Sequence, residues 1–181
     1  MSHFYLTTPI YYVNDKPHIG HFYTSLAADV IARFKRLDGV KVKFLTGTDE
    51  HGQKVAKSAQ QKALSPQAFC DQLSASFQAL SQAFKISADD FIRTTEARHQ
   101  QGAQALWLWL LEKGFIYKCK YAGFYAIRDE AFYSQSEIID GKAPTGAEVE
   151  WMEEESYFFK LSAFQDRLLE FYRDHPTFIK P

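Results

Sequence analysis

Apolar positions follow three different rhythms along this chain, and each predicts a different element. Residues 4–8 (Phe4, Tyr5, Leu6, Thr7 and Thr8) are a short run rich in aromatic and β-branched side chains, which predicts a buried strand. From residue 17 the apolar spacing becomes three and four. Ile19, Tyr23, Leu26, Val30, Phe34 and Leu37 draw one stripe on a helix, the face that a surface helix turns toward a core. Pro17 suits the first turn, Arg33, Lys35 and Arg36 fall in the last turns where the helix dipole favours cations, and Gly39 ends the element. Residues 40–45 predict a second strand, followed by the turn Thr46-Gly47-Thr48-Asp49-Glu50-His51-Gly52. Strand, helix and strand over this length form a βαβ unit, whose crossover is nearly always right-handed.

The helical rhythm returns at Ser65-Pro66, an N-cap followed by a proline at the first helical position, with Phe69, Leu73, Phe77, Leu80 and Phe84 as its stripe. Residues 91–95 predict a third strand and residues 96–113 another helix, stopped by Gly114 and carrying Trp107 and Trp109 as core residues. Then the texture changes. Residues 115–160 alternate aromatic and polar positions around Gly123, Gly141 and Pro144-Thr145-Gly146, which predicts a small antiparallel excursion, and residues 162–174 are helical again. The fold class expected is α/β, a parallel sheet with an inserted small antiparallel subdomain. Within residues 115–160 the acidic positions Glu148, Glu150, Glu153, Glu154 and Glu155 predict a solvated face.

Composition narrows the function classes. At 181 residues and 46% hydrophobic there is ample material for a core. A net charge of −1 gives no global basic field from which to argue nucleic-acid binding. Cys70 and Cys119 form no CxxC pair and are expected to be reduced thiols of a cytoplasmic protein. There is no secretory signal pattern at the amino terminus, and the longest apolar run, residues 106–111, is far too short to cross a bilayer, so a soluble protein is expected.

The candidate chemistry sits at the start of the first helix, in Pro17-His18-Ile19-Gly20-His21. His18 and His21 lie three apart, one turn tall on one helix face. Free backbone N–H groups and the positive dipole end already favour an anion there, and the two imidazoles add donors. Gly20 removes the side chain that would keep a nucleotide off the backbone. In open α/β sheets ligands bind outside the carboxyl ends of the strands, so Asp49 and His51 in the turn after the second strand should converge on the same crevice. Duller readings stand beside these: Asp49 as a cap of the helix after His51, Tyr12 as a packed core tyrosine, His51 as structural. A metal held by His18, His21, Asp49 and His51 is disfavoured, because ligands want stiff, well-supported elements and a flanking glycine and proline suit an anion better.

Thr8-Pro9-Ile10-Tyr11-Tyr12-Val13-Asn14, His18-Ile19-Gly20-His21 and the turn at residues 46–52, in this order and spacing, resemble the amino-terminal half of the methionyl-tRNA synthetases, a family of class I aminoacyl-tRNA synthetases. Residues 91–98 and 128–133 extend the match over essentially the whole chain. The resemblance implies a Rossmann-like sheet and a two-step ligase: methionine's carboxylate attacks the α-phosphate of ATP, supplied with Mg2+, and the methionyl group passes to tRNA(Met). It implies that His18 and His21 are catalytic donors to the phosphates and that Asn14, His18, Ile19, Gly20 and His21 bind ATP. Ile10, Tyr12 and Asp49 would then bind methionine, Asp49 by pairing with its ammonium, with His51 a secondary candidate. It further implies residues 1–114 as the amino-terminal part of the catalytic domain, 115–160 as the connective insertion, and 161–181 as a helix leading back toward that domain.

Two departures qualify the resemblance. Many members carry a zinc knuckle of paired cysteines in the insertion, whereas here Ala126 and Asp129 stand where the first pair would be and residues 141–145 have no thiol, so no zinc is expected. Phe124, Phe132, Tyr133 and Trp151 are then expected to hold the subdomain as an aromatic core. The second class I signature, KMSKS, is missing, and Lys160-Leu161-Ser162-Ala163-Phe164 lacks the second lysine and lies too early to replace it. The expectation is an amino-terminal piece that cannot adenylate methionine at a useful rate. The alternatives are a small self-sufficient nucleotidyltransferase of the same motif and an inactive binding module.

Overall fold

A computed structural model describes residues 2–179. The chain divides into two compact units between Ala103 and Gln104, within helix α4 (Ala97–Glu112).

The first unit is built on a parallel sheet whose hub is β3 (Lys41–Asp49). β1 (His3–Thr7) pairs with its first half, from His3↔Lys41 to Thr7↔Leu45. β2 (Tyr11–Tyr12) pairs with its end, Tyr11↔Thr48 and Tyr12↔Asp49. The N–H groups of Thr8 and Val13 donate to the carbonyls of Leu45 and Asp49, at 3.1 and 3.2 Å, and between them Pro9 and Ile10 leave the ladder. β4 (Asp90–Arg93) is also parallel to β3, from Leu45↔Asp90 to Thr48↔Arg93. Gly47 is required at this pairing, because a Cβ there would stand 2.0 Å from the Ile92 carbonyl oxygen. Helices α1 (Ile19–Leu37), α2 (Gln53–Gln61) and α3 (Pro66–Ala83) complete the unit.

The larger core cluster joins Tyr11 and Val13 to Val55 and Ala59 of α2 and to Phe69, Cys70, Leu73 and Phe77 of α3. The α3 stripe is therefore buried as expected as far as Phe77, while Phe84 lies outside it, 54% exposed. Ser65 caps α3, its hydroxyl accepting from the Ala68 N–H at 3.2 Å, and Pro66 opens the helix.

β1 and α1 differ from the sequence reading. β1 is covered on one face only: Phe4 and Leu6 turn inward, whereas His3, Tyr5 and Thr7 are exposed. In α1 the predicted stripe faces away from the core, with Ile19, Tyr23, Leu26, Val30, Phe34 and Leu37 between 41% and 88% exposed. The buried face is Ser25, Ala28, Asp29 and Ala32, nearly opposite. Small side chains let the helix approach the sheet, and Ala28 and Ala32 pack on Phe44 of β3. The buried Asp29 carboxylate is satisfied by the Ser87 N–H at 2.6 Å, the Ser87 hydroxyl at 2.5 Å and Arg33 Nε at 2.7 Å. That set ties α1 to the loop before β4.

The second unit is an antiparallel ribbon of β5 (Ile116–Ala126) and β7 (Glu150–Phe159), paired from Ile116↔Phe159 to Tyr125↔Glu150, with β6 (Ala131–Tyr133) on the other side of β5. A 3-10 turn at Leu161–Phe164 leads into α5 (Gln165–Asp174). The expected excursion and final helix are thus present. The α4 tryptophans are not core, however: Trp107 is 44% and Trp109 51% exposed, and α4 has no buried residue. The aromatic core is also corrected. The buried cluster is Ala126, Ala143 and Ala147 with Tyr133 and Val149 against it, whereas Phe124 and Phe132 are half-buried and Trp151 is 61% exposed. The acidic strand does face solvent, with Lys118 on Glu155 at 2.7 Å and Lys120 on Glu153 at 3.4 Å as exposed cross-strand pairs.

Candidate active site

The start of α1 is held by its own two histidines. His18 is the N-cap, with extended backbone angles, and its Nδ1 accepts from the Gly20 N–H at 3.1 Å. In return, Nδ1 of His21 accepts from the His18 N–H at 3.1 Å, closing a capping box in which imidazoles do the work usually given to hydroxyl and carboxylate groups. An imidazole nitrogen that accepts carries no proton, so this cap requires the Nε2–H tautomer of each ring. The rings lie 3.8 Å apart, centroid to centroid, at 30°. Each Nε2–H is on the far side of its ring from the backbone it caps and remains a donor.

Burial, and then the neighbouring His18, hold the His21 pKa below its ordinary value, which favours the neutral form the cap requires. Gly20 has a local role besides openness. A Cβ on it would stand 3.0 Å from Cε1 and 3.1 Å from Nδ1 of His18, crowding the capping ring. Ile19 is 78% exposed and Asn14 is exposed in the preceding turn.

Tyr11 joins this helix start to the sheet, a role the sequence reading missed. Its hydroxyl donates to the His21 carbonyl at 3.2 Å and shares a 2.7 Å hydrogen bond with the Ser25 hydroxyl. Its ring meets His21 edge-on at 5.0 Å and stacks on Phe77 at 5.5 Å, and Phe77 meets His21 at 5.1 Å. The signal was the strand period: Tyr11 and Val13, two apart, are both buried in the core, and the partly buried Tyr12 packs against the same cluster.

Tyr12 and Asp49 are register partners in a parallel pair, so their side chains share a sheet face, and Ile10, 41% exposed, lies two residues before Tyr12. The next residue, Glu50, is the buried anchor of this turn. Arg93 grips its carboxylate with both prongs, Nε at 2.8 Å and Nη2 at 2.9 Å, and the hydroxyls of Thr95 and Thr48 donate at 2.5 and 2.7 Å. The Glu50 N–H donates to the Thr94 hydroxyl at 2.9 Å. Burial alone would raise the Glu50 pKa, but these hydrogen bonds outweigh it and hold the carboxyl below its ordinary value. Arg93 also reaches Asp71 at 2.6 Å, which links the turn to α3. His51, exposed, places Nε2 3.3 Å from the Thr94 carbonyl.

The structure therefore brings His21 to the end of β3 through Tyr11, and Tyr12 alongside Asp49. His51 is turned toward Thr94. Among the described residues no group of three or more His, Cys, Asp or Glu is placed to hold a metal ion. Cys70 is buried beneath the turn, its thiol donating to the Glu50 carbonyl at 3.5 Å, and burial followed by the Glu50 charge pushes its pKa up to about 11. It is an inert packing residue.

Comparison with known proteins gives one answer. The family model for class I (M) tRNA synthetases matches residues 4–150. The methionine–tRNA ligase of Rickettsia conorii is 62% identical over 179 residues, covering 98% of this chain and 35% of the relative. That of Rhizobium meliloti is 53% identical over 185 residues, covering 99% and 36%. Among solved structures, Mycobacterium tuberculosis methionyl-tRNA synthetase in complex with methionyl-adenylate superposes with a TM-score of 0.92 at 47% identity, over 100% of this chain and 36% of that one. The chain spans about a third of the length of the curated relatives it matches.

Proposed function

This chain belongs to the class I (M) tRNA synthetases, and on that premise we propose that it forms the ATP and methionine half of a methionine–tRNA ligase active site. The observation that supports this reading most is the reciprocal capping of His18 and His21, which leaves two neutral Nε2–H donors at a helix start. In-line attack of a carboxylate on the α-phosphate builds negative charge on the phosphoryl oxygens. Fixed donors aimed at that charge lower the barrier without covalent chemistry. His18 and His21 act as such donors, and the free N–H groups of the α1 start add to them. Because the rings are already oriented by the cap, they need no reorganisation as charge develops.

Asn14, Ile19 and Gly20 complete the ATP-contacting segment. Asp49 pairs with the methionine ammonium, while Ile10 and Tyr12, on the same stretch of sheet edge, supply apolar packing for the unbranched thioether. His51 is a secondary candidate for this pocket. Glu50 and Arg93 act through these residues as positioning groups. ATP arrives with Mg2+, which screens the phosphate charge.

Within this reading residues 1–114 are the amino-terminal part of the catalytic domain, 115–160 the connective insertion and 161–181 the return helix. tRNA(Met) is the acceptor and the cytoplasm the site of action. Among the described residues no helix is long and apolar enough to cross a membrane. The open apolar stripe of α1 supports a further packed layer supplied by the length that the relatives have beyond this match.

A thermal-shift titration tests the binding half of the reading. A non-hydrolysable methionyl-adenylate analogue at a hundredfold excess over its Kd should stabilise the chain by about 2.7 kcal/mol. For a domain of this size that raises Tm by roughly 5–10 °C. Pantetheine and nicotinate mononucleotide should leave Tm unchanged. Stabilisation by either of these and not by the adenylate analogue would refute the reading.

A further inference from the structure

Many members of the family carry a zinc knuckle in the insertion, and the residues present here do not fit one. A structural zinc takes four thiolate or imidazole ligands as a rule. Residues 126–147 hold no cysteine and no histidine. What the structure has there is two tight turns without a metal's donor set. The Asp129 N–H donates to the Ala126 carbonyl at 3.1 Å, and the Gly146 N–H donates to the Ala143 carbonyl at 2.8 Å. Ala126, Ala143 and Ala147 are almost fully buried around them. Methyl groups pack here, but they are too small and too few to fix two loops in register.

The link between the turns is polar and centred on one side chain. Oδ2 of Asp129 accepts from the Thr145 hydroxyl on the other turn and from the Tyr133 hydroxyl of β6 at 3.0 Å. Oδ1 of Asp129 accepts from Arg128 Nε at 3.1 Å. Arg128 then crosses to the second turn by itself, donating from Nη2 to the Thr145 carbonyl at 2.6 Å. The Thr145 hydroxyl in turn accepts from the Ala147 N–H at 3.4 Å, and the Ala143 N–H closes the second turn on the Ala147 carbonyl at 2.8 Å. First turn, second turn and β6 thus meet at the Asp129 carboxylate, whose side chain is only 14% exposed. Charge-assisted hydrogen bonds of this kind are about twice as strong as neutral ones, and their convergence is what a metal centre ordinarily provides.

We propose that the Asp129 carboxylate, with Thr145 and Arg128, is the junction that replaces a metal in this subdomain, so that the paired turns fold and persist without one. Asp129 occupies a position where the family's knuckle would place a thiolate, and it serves as a hydrogen-bond acceptor there. The assignment is independent of whether the chain activates methionine.

Metal content and chelation are measured first on the purified wild-type chain. Substoichiometric zinc, and a Tm unmoved by excess EDTA or phenanthroline, are expected. Stoichiometric zinc with a Tm that falls on chelation overturns the proposal. Amide hydrogen exchange is then compared for wild type, Asp129→Ala, Thr145→Val and the double variant. Asp129→Ala should accelerate exchange at the amides of Ala143 and Gly146, across the junction, by about tenfold, and the double variant should be no faster than Asp129→Ala alone. Unchanged exchange at those two amides, or full additivity, overturns it. Should Asp129→Ala not fold, Asp129→Asn keeps an acceptor oxygen for Thr145 and Tyr133 but loses the charge; its exchange at Ala143 and Gly146 should exceed that of the wild type, and exchange equal to the wild type overturns the proposal.

Discussion

Replacing Arg93 by methionine should expose what holds the Asp49 turn in place. Met fills much of the volume of the Arg stem but cannot donate, so the change leaves the Glu50 carboxylate, with a fully buried side chain, without its bidentate partner. Breaking a buried pair from one side costs roughly 3–5 kcal/mol, because an uncompensated charge is left behind. Two features of this site lower the figure: Thr48 and Thr95 still donate to the carboxylate, and Arg93 is itself 20% exposed. About 3 kcal/mol is therefore expected, in urea melts at pH 7, from a shift of the midpoint with unchanged m.

The pH dependence should reverse sign. In the wild type the Glu50 pKa lies below its ordinary value of 4.5, so its contribution is fully present above that value and lost as pH falls through the folded pKa. In Arg93→Met, burial dominates and raises the folded pKa above 4.5, so the variant should lose stability as pH rises from 4.5 through the new value. Adding Glu50→Gln removes the buried charge and should recover about half of the loss. A cost below about 1 kcal/mol, or a double variant no more stable than Arg93→Met, would refute this view of the turn.

Three further outcomes can be checked on the same chain. Gly47→Ala forces a Cβ onto the Ile92 carbonyl oxygen at 2.0 Å, where neither strand can yield, and should cost about 3 kcal/mol or prevent folding, read by thermal melt and soluble yield. Ser65→Ala removes the α3 cap and should cost about 1 kcal/mol, with Ser65→Asp close to wild type in the same urea melts. His21, whose pKa is lowered, binds a proton more readily in the unfolded chain; its contribution to stability should be complete above pH 6.5 and decline as pH falls from there through the folded value, seen as a downward drift of Tm that His21→Gln abolishes.

The order of elements was legible in the sequence because periodicity and end signals report them directly. Ser65-Pro66 and Gly39 mark helix ends at the chain level, and the aromatic alternation of residues 115–160 marks the ribbon. What covers each face was not legible. The α1 stripe is a true periodic signal, but the helix packs through Ser25, Ala28 and Ala32, a face of small side chains that hydrophobicity patterns barely register. Trp107 and Trp109 misled for the same reason, since size and apolarity state a tendency to be buried and name no neighbour.

At the site, His18 and His21 were readable from their spacing, but their reciprocal Nδ1 bonds were not, because capping geometry depends on side-chain torsions. Tyr11 was one strand period away from being found. Glu50 with Arg93, and Asp129 with Thr145, join residues 43 and 16 apart, and such partnerships exist only once the chain has folded.

The central claim is that His18 and His21 are neutral, backbone-capping imidazoles whose Nε2–H groups face a bound adenylate. Long-range proton–nitrogen correlation of the histidine side chains at pH 7.5, with and without a non-hydrolysable methionyl-adenylate analogue, tests it most directly. The account predicts the Nε2–H tautomer for both residues in the free chain and a marked shift of both Nε2 resonances on adding the analogue. An Nδ1–H or doubly protonated ring at either position, or resonances indifferent to the analogue, would contradict it.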